Sequence, residues 1–261
     1  MNPVLITESA LAGEETARLA EEFAGAITAN AGQLCTRPSL LFIPASASGT
    51  RFERLLSASV RNASPTDMLS EGIAGRYRSA VAEIRGAHGI DYPLLWTGSN
   101  DASILAVPAS RLIADPQPFM HEVFGPFALL VRYDGMRELA DALELLPGSL
   151  TFTIRSGEND PVITSEIIAT ARSKAGRIVG AGVPTGVAVS EAQMHGGTWP
   201  AATSSMHSSV GQLAAHRFLR PVTYQEIPDR LLPPALQNGN PLGIPRRIDG
   251  SWTQAPLDVV Q

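Results

Sequence analysis

Short, nearly unbroken apolar runs alternate along this chain with segments whose apolar residues recur every three or four positions. The runs at 3–6, 40–43, 94–97, 104–107, 127–132, 150–154 and 177–179 have the length and content of strands buried on both faces. Between them, residues 14–28 place Leu19, Ala20, Phe23, Ala24 and Ile27 on one helical stripe. Residues 50–60 do the same with Phe52, Leu55, Leu56 and Val60, and residues 71–84 with Ile73, Tyr77, Val81 and Ile84. Segments 136–146 and 162–173 continue the pattern. Strands and amphipathic helices in this order predict an α/β fold, a mostly parallel sheet flanked by helices.

After Gly180 the texture changes to Gly, Pro, Ser and Thr, through Val183-Pro184-Thr185-Gly186 and His195-Gly196-Gly197-Thr198-Trp199-Pro200. A long ordered loop is expected there, and loops of such length usually cover a site or a subunit contact. The run at 218–224 is strand-like but contains Pro221, which suits an edge strand able to pair with another chain. At the other end, Asn2-Pro3-Val4-Leu5-Ile6 opens directly on a core strand, as expected of a part of something longer.

With 261 residues, 44% hydrophobic and 17% charged, the chain can bury a sizeable core. Its net charge of −5 supplies no basic field, so neither nucleic acid nor a membrane surface is an expected partner. No apolar run approaches the roughly 20 residues that cross a bilayer, and no basic segment leads an apolar signal core; a cytoplasmic location is the expectation. One cysteine excludes an internal disulfide, and the histidines at 88, 121, 195, 207 and 216 are scattered, so no metal site is predicted.

That cysteine, Cys35, falls at the junction between the 14–28 helix and the 40–43 strand. A junction exposes a side chain and frees backbone N–H groups to meet an oxyanion, and a thiolate is the strongest nucleophile among ordinary side chains. A lone cysteine is also a small buried hydrophobe, and position alone favours that plainer reading.

Three stretches, at 30–38, 121–126 and 176–231, together resemble the C-terminal half of the aldehyde dehydrogenases. Asn30-Ala31-Gly32-Gln33-Leu34-Cys35 looks like that family's nucleophile segment, and Glu122-Val123-Phe124-Gly125-Pro126 like its cofactor-facing motif. Within the family the chain is similar to the α-ketoglutarate semialdehyde (2,5-dioxovalerate) branch. That likeness lies in Cys35-Thr36-Arg37-Pro38, Pro184-Thr185-Gly186-Val187, His195-Gly196-Gly197 and Arg217-Phe218-Leu219-Arg220-Pro221.

The resemblance implies a catalytic domain over 1–215 and an oligomerisation tail over 216–261. Cys35 would attack an aldehyde carbon, giving a thiohemiacetal that passes hydride to NAD or NADP and becomes a thioester for water to cleave. Glu122 would hold the nicotinamide-side ribose through its hydroxyls, and Phe124 would pack beside the nicotinamide. Arg37, near the nucleophile, would attract a substrate carboxylate, and His195 would approach the substrate tunnel. Both have plainer readings that the residues themselves favour: an arginine beside a Pro turn is usually structural, and a histidine before two glycines caps a turn. Expected partners are a small aldehyde such as 2,5-dioxopentanoate and either further copies in a homo-oligomer or a missing N-terminal half.

Several departures from the family shape the expectation. The family's first half carries the Rossmann-type dinucleotide domain, an oxyanion-hole Asn and a general-base Glu, none of which has a counterpart here; no Gly-x-Gly-x-x-Gly occurs. Ser39 stands where similar relatives have Gly, and Ser205-Met206-His207 replaces a more charged sequence. The expectation is half of an NAD(P)-dependent aldehyde dehydrogenase, inactive alone and without tight hold on the cofactor. Two alternatives stand beside it: a split enzyme whose cofactor half is encoded separately, and a non-catalytic fragment that assembles with full-length subunits.

Overall fold

The computed structural model describes residues 1–63, 66–94, 102–158 and 160–257. Its strands are β1 Pro3–Ile6, β2 Leu40–Pro44, β3 Asp91–Leu94, β4 Ser103–Pro108, β5 Phe127–Tyr133, β6 Ser149–Arg155 and β7 Ala175–Val179. They form one seven-stranded sheet in the order β3-β4-β5-β2-β1-β6-β7. Every neighbouring pair is parallel except β3, which runs antiparallel to β4 at the edge. The helices are α1 Glu15–Thr28, α2 Ala47–Asn62, α3 Glu71–Gly86, α4 Ala109–Ala114, α5 Gly135–Glu144 and α6 Ser165–Lys174.

Alternation along the strands divides the core into two layers. Val4, Ile6, Leu41, Ile43, Ile104 and Leu130 join Leu19, Phe23 and Ile27 of α1 and Phe52, Leu56 and Val60 of α2. Leu5, Phe42, Leu105, Val107, Leu129 and Val131 join residues of α3, α4, α5 and α6 on the opposite face. With both faces covered, the central strands need to be apolar at every position, which is why they read as continuous runs. The rings of Phe23 and Phe52 meet edge to face at 6.5 Å and lock α1 to α2. Helix starts are fixed by hydroxyl caps: Ser46 Oγ accepts from the Gly49 N–H at 3.1 Å, Ser70 Oγ from Ile73 at 3.3 Å and Thr164 Oγ1 from Ile167 at 3.3 Å.

Compared with the expected elements, one helix is additional. α4, six residues long, is too short to show a helical period. Of the strand expected at 94–97, Leu94 belongs to β3, and 95–97 fall outside the described residues. Residues 180–211 hold no helix or strand, the long loop that their composition implies.

The chain divides into two compact units, Met1–Arg217 and Phe218–Gln261. In the second, β8 Arg246–Ile248 and β9 Ser251–Thr253 form a hairpin. Asp249 and Gly250, with φ of 46° and 86°, make the left-handed two-residue turn that suits strand twist. The run expected as an edge strand at 218–224 is not a strand: a 3-10 helix, Gln212–Phe218, leads into irregular backbone. A strand is a paired state, Pro221 offers no N–H, and no strand of the described residues lies against it.

Candidate active site

Parallel strands align their amino ends, and here that alignment gathers segments far apart in sequence. Asn2 precedes β1, Cys35 and Arg37 precede β2, Glu122 and Phe124 precede β5, and Pro147 and Gly148 precede β6, while Arg177 lies midway along the short β7. Ligands in open α/β sheets more often bind at the carboxyl ends. The candidate site lies at the amino edge because the turn carrying Cys35 enters a strand rather than leaving one.

Asn30, Ala31 and Gly32 all adopt left-handed backbone, with φ of 51°, 52° and 67°, and reverse the chain after α1. Only glycine fits the third position, because a Cβ there would lie 2.2 Å from the carbonyl carbon and oxygen of Gly125. The nucleophile-like turn and the 122–126 turn therefore touch backbone to backbone. Arg37 ties them further: its guanidinium donates to the carbonyls of Phe127, Val123 (2.6 Å) and Pro38 (3.3 Å). Burial pulls its pKa down to about 10, against the opposing pull of Glu122. Buried, with both terminal nitrogens on backbone carbonyls, Arg37 is not placed to meet a substrate carboxylate, and that expectation gives way to the structural one. Carbonyls that no local pattern reveals turned a surface-type residue into a core one.

Asn2, which sequence reasoning passed over, fixes the same turn from below. Its Nδ2 donates to the carbonyls of Cys35 at 2.9 Å and Arg37 at 3.0 Å, while its Oδ1 accepts from the Thr151 N–H at 3.2 Å. Ser39, the departure from glycine, accepts from the Asn2 N–H through Oγ at 3.0 Å. The available signal was a polar residue directly before a wholly apolar strand.

His195 is brought in by the long loop. A Cβ on Gly176 would meet the Gly196 carbonyl oxygen at 2.2 Å, and one on Gly197 would meet the Ser149 carbonyl oxygen at 2.2 Å. These glycines let 195–197 lie directly on the starts of β6 and β7. Ser208 Oγ accepts from the His195 N–H at 3.0 Å, and Ser209 donates to the His195 carbonyl from N–H at 2.8 Å and Oγ at 2.7 Å. His195, 7% exposed, points Nε2 at the Cys35 sulfur, 3.4 Å away, while Cys35 itself is exposed. Burial lowers the imidazole pKa from its ordinary value, and the Arg177 cation acts in the same sense. Arg177 donates to the carbonyls of Gly186 at 2.8 Å and Pro184 at 2.5 Å. Burial lowers its own pKa, and Cys35 pulls the other way.

Cys35 opens on a cavity of about 430 Å³, walled also by Asn2, Met120, Glu122, Phe124, Pro147 and Ala201. Glu122 and Phe124 are exposed, Phe124 at 39%, and also line a cleft of about 610 Å³ over α3. An exposed carboxylate suits a ribose diol and an exposed ring suits a flat heterocycle, so both residues fit a nicotinamide cofactor. Among the described residues no cluster of His, Cys, Asp or Glu could hold a metal, and no helix is long and apolar enough to cross a membrane.

Comparison with known proteins finds α-ketoglutaric semialdehyde dehydrogenase 2 of Azospirillum brasilense 38% identical over 262 residues, covering 96% of this chain and 48% of that protein. The α-ketoglutaric semialdehyde dehydrogenase of Acinetobacter baylyi is 35% identical over 260 residues, 97% of this chain and 49% of that protein. The chain thus spans about half the length of the curated relatives it matches. Among solved structures, a putative methylmalonate-semialdehyde dehydrogenase of Sinorhizobium meliloti, complexed with NAD, has a similar fold. Its TM-score is 0.58 at 16% identity, covering 75% of this chain and 41% of that one. No protein-family model matches the chain.

Proposed function

We propose that this chain, 38% identical to a semialdehyde dehydrogenase over 96% of its own length, belongs to the aldehyde dehydrogenase family and is the half bearing the nucleophile. The observation that carries the reading is the cavity in which Cys35 shares a wall with Glu122 and Phe124. Cys35 Sγ adds to the aldehyde carbon, and the Cys35 N–H donates to the developing oxyanion, a contribution of about 3 kcal/mol where such a donor has been removed elsewhere. Glu122 orients the cofactor ribose and Phe124 flanks the nicotinamide. NAD or NADP, when bound, supplies the hydride acceptor, after which water releases the acid from Cys35. The substrate is a 2,5-dioxopentanoate-like semialdehyde, and residues 216–261 serve assembly.

Alone, the chain is inactive in this reading. Holding the reactants in register contributes roughly 7–11 kcal/mol of barrier reduction, and two residues cannot replace a cofactor domain. A second arrangement, in which a separately encoded half completes the enzyme, predicts the same silence of the lone chain. The test is NADH formation on 2,5-dioxopentanoate by the chain alone and after mixing with the N-terminal half of a relative. Turnover is expected only in the mixture, and only with Cys35 intact. Saturable turnover by the lone chain, lost in Cys35→Ala, would refute the inactive-alone reading; a fully active mixture containing Cys35→Ala would refute the nucleophile.

A further inference from the structure

We propose that His195 is the proton acceptor of the Cys35 thiol, making a thiol-activating pair supplied wholly by this chain. The proposal rests on the reading of Cys35 as nucleophile and adds to it a residue that bonds to the reacting atom. Three features carry it. Nε2 lies 3.4 Å from Sγ, within reach of an S–H donor. The ring is buried while the sulfur is exposed, so the imidazole meets the thiol rather than bulk water. Its backbone is held on both sides, by Ser208 at N–H and Ser209 at the carbonyl, which fixes its approach to the sulfur.

The proton balance is simple. With the ring proton on Nδ1, the Nε2 lone pair faces sulfur. The S–H bond breaks, its electron pair stays on Sγ, and the proton moves to Nε2. Sγ then bonds to the aldehyde carbon, and Nε2 returns the proton to the former carbonyl oxygen. Thiol plus aldehyde has become thiohemiacetal, and the imidazole is regenerated. His195 also borders a second cavity of about 390 Å³, which shares Leu150 and Ala201 with the Cys35 cavity, so an aldehyde can reach sulfur without displacing the ring.

The surrounding charges decide the form of the pair. Arg177, from β7, disfavours imidazolium and acts on Cys35 with a favourable sign. His207 and Arg217 line the cavity of His195, and Glu122 and the Met1 amino group face that of Cys35. Burial and Arg177 both lower the His195 pKa, so the ring is neutral near pH 7 and able to accept. A standing thiolate–imidazolium pair is thereby disfavoured, and the proton leaves nitrogen readily once the S–C bond has formed.

The test is alkylation of Cys35 by iodoacetamide in the full chain, without aldehyde or cofactor, from about pH 5 to about pH 9. Reactivity is expected to rise through the imidazole range, below the ordinary thiol titration near about 8.5. His195→Gln should lose that limb and react about tenfold or more slowly at neutral pH, and added imidazole should restore rate to His195→Gly. A wild-type profile with only the ordinary thiol limb would overturn the proposal without recourse to any variant. So would superimposable profiles of wild type and a folded His195→Gln. Because no dehydrogenase step is measured, the result separates this role from failure of the half-enzyme reading.

Discussion

Asn2→Ala is the most direct test of how the nucleophile turn is held. Three hydrogen bonds disappear together, to the Cys35 and Arg37 carbonyls and from the Thr151 N–H. The Arg37 and Thr151 bonds are buried, so each leaves a dry, unpaired backbone group at about 1–3 kcal/mol. The Cys35 carbonyl is partly exposed and can take water from the cavity, so its loss is nearer about 0.5 kcal/mol. The expected destabilisation is about 4 kcal/mol, read in urea as a lower midpoint at unchanged slope, with far-ultraviolet circular dichroism as probe. Cys35 should also be alkylated with a broader spread of rates, since its carbonyl no longer anchors the turn. A loss under about 1 kcal/mol would refute the reasoning, because it would mean that water replaces all three partners even in the buried layer.

Gly32→Ala should cost about 3 kcal/mol or more, combining a left-handed backbone with a Cβ driven into Gly125, and a wild-type denaturation midpoint would show that the 122–126 turn yields freely. Phe124→Ala, at an exposed position, should leave stability within about 0.5 kcal/mol yet raise the KM for NAD(P) in a completed enzyme; an unchanged KM would remove Phe124 from the cofactor. The buried His195 should make the protein acid-sensitive. Its folded pKa is depressed, so as pH falls below about 6.5 the unfolded chain binds the proton first and stability declines. His195→Gln should flatten that decline, measured as urea midpoints at about pH 7.5 and about pH 5.5, and equal acid sensitivity in both proteins would count against it.

What was legible in the sequence was local. The spacing of Ile73, Tyr77, Val81 and Ile84 locates α3 because a helical stripe is written in consecutive turns. The apolar runs locate β1, β2, β4 and β5 because strands covered on both faces are apolar along most of their length, and β6 keeps the signal through Leu150, Phe152 and Ile154 despite its buried threonines. Cys35, Glu122 and Phe124 were singled out as motifs, and they line one cavity. The supports of the site were hidden by distance along the chain. Asn2 finds Thr151 149 positions away, and His195 reaches Cys35 across 160. The structural role of Arg37 was the plainer reading of its local sequence, but its partners were out of sight, since its acceptors on Val123 and Phe127 lie 86 and 90 positions on. The tail run at 218–224 shows the converse: β-forming residues do not make a strand where no strand of the described residues pairs with them.

Because the segments around Cys35 enter from the amino edge of the sheet, the opposite edge is chemically remote from it. β1, β2 and β5 end at Ile6, Pro44 and Tyr133, a strand length or roughly 15–25 Å away at about 3.3 Å per residue. The short links that follow, Ala45-Ser46 before α2 and Asp134 before α5, face away from the thiol. Ala45 and Asp134, both exposed and neither a side-chain helix cap, are natural attachment points for a fluorophore or an affinity handle, which would report on folding and assembly while leaving the reactive edge untouched.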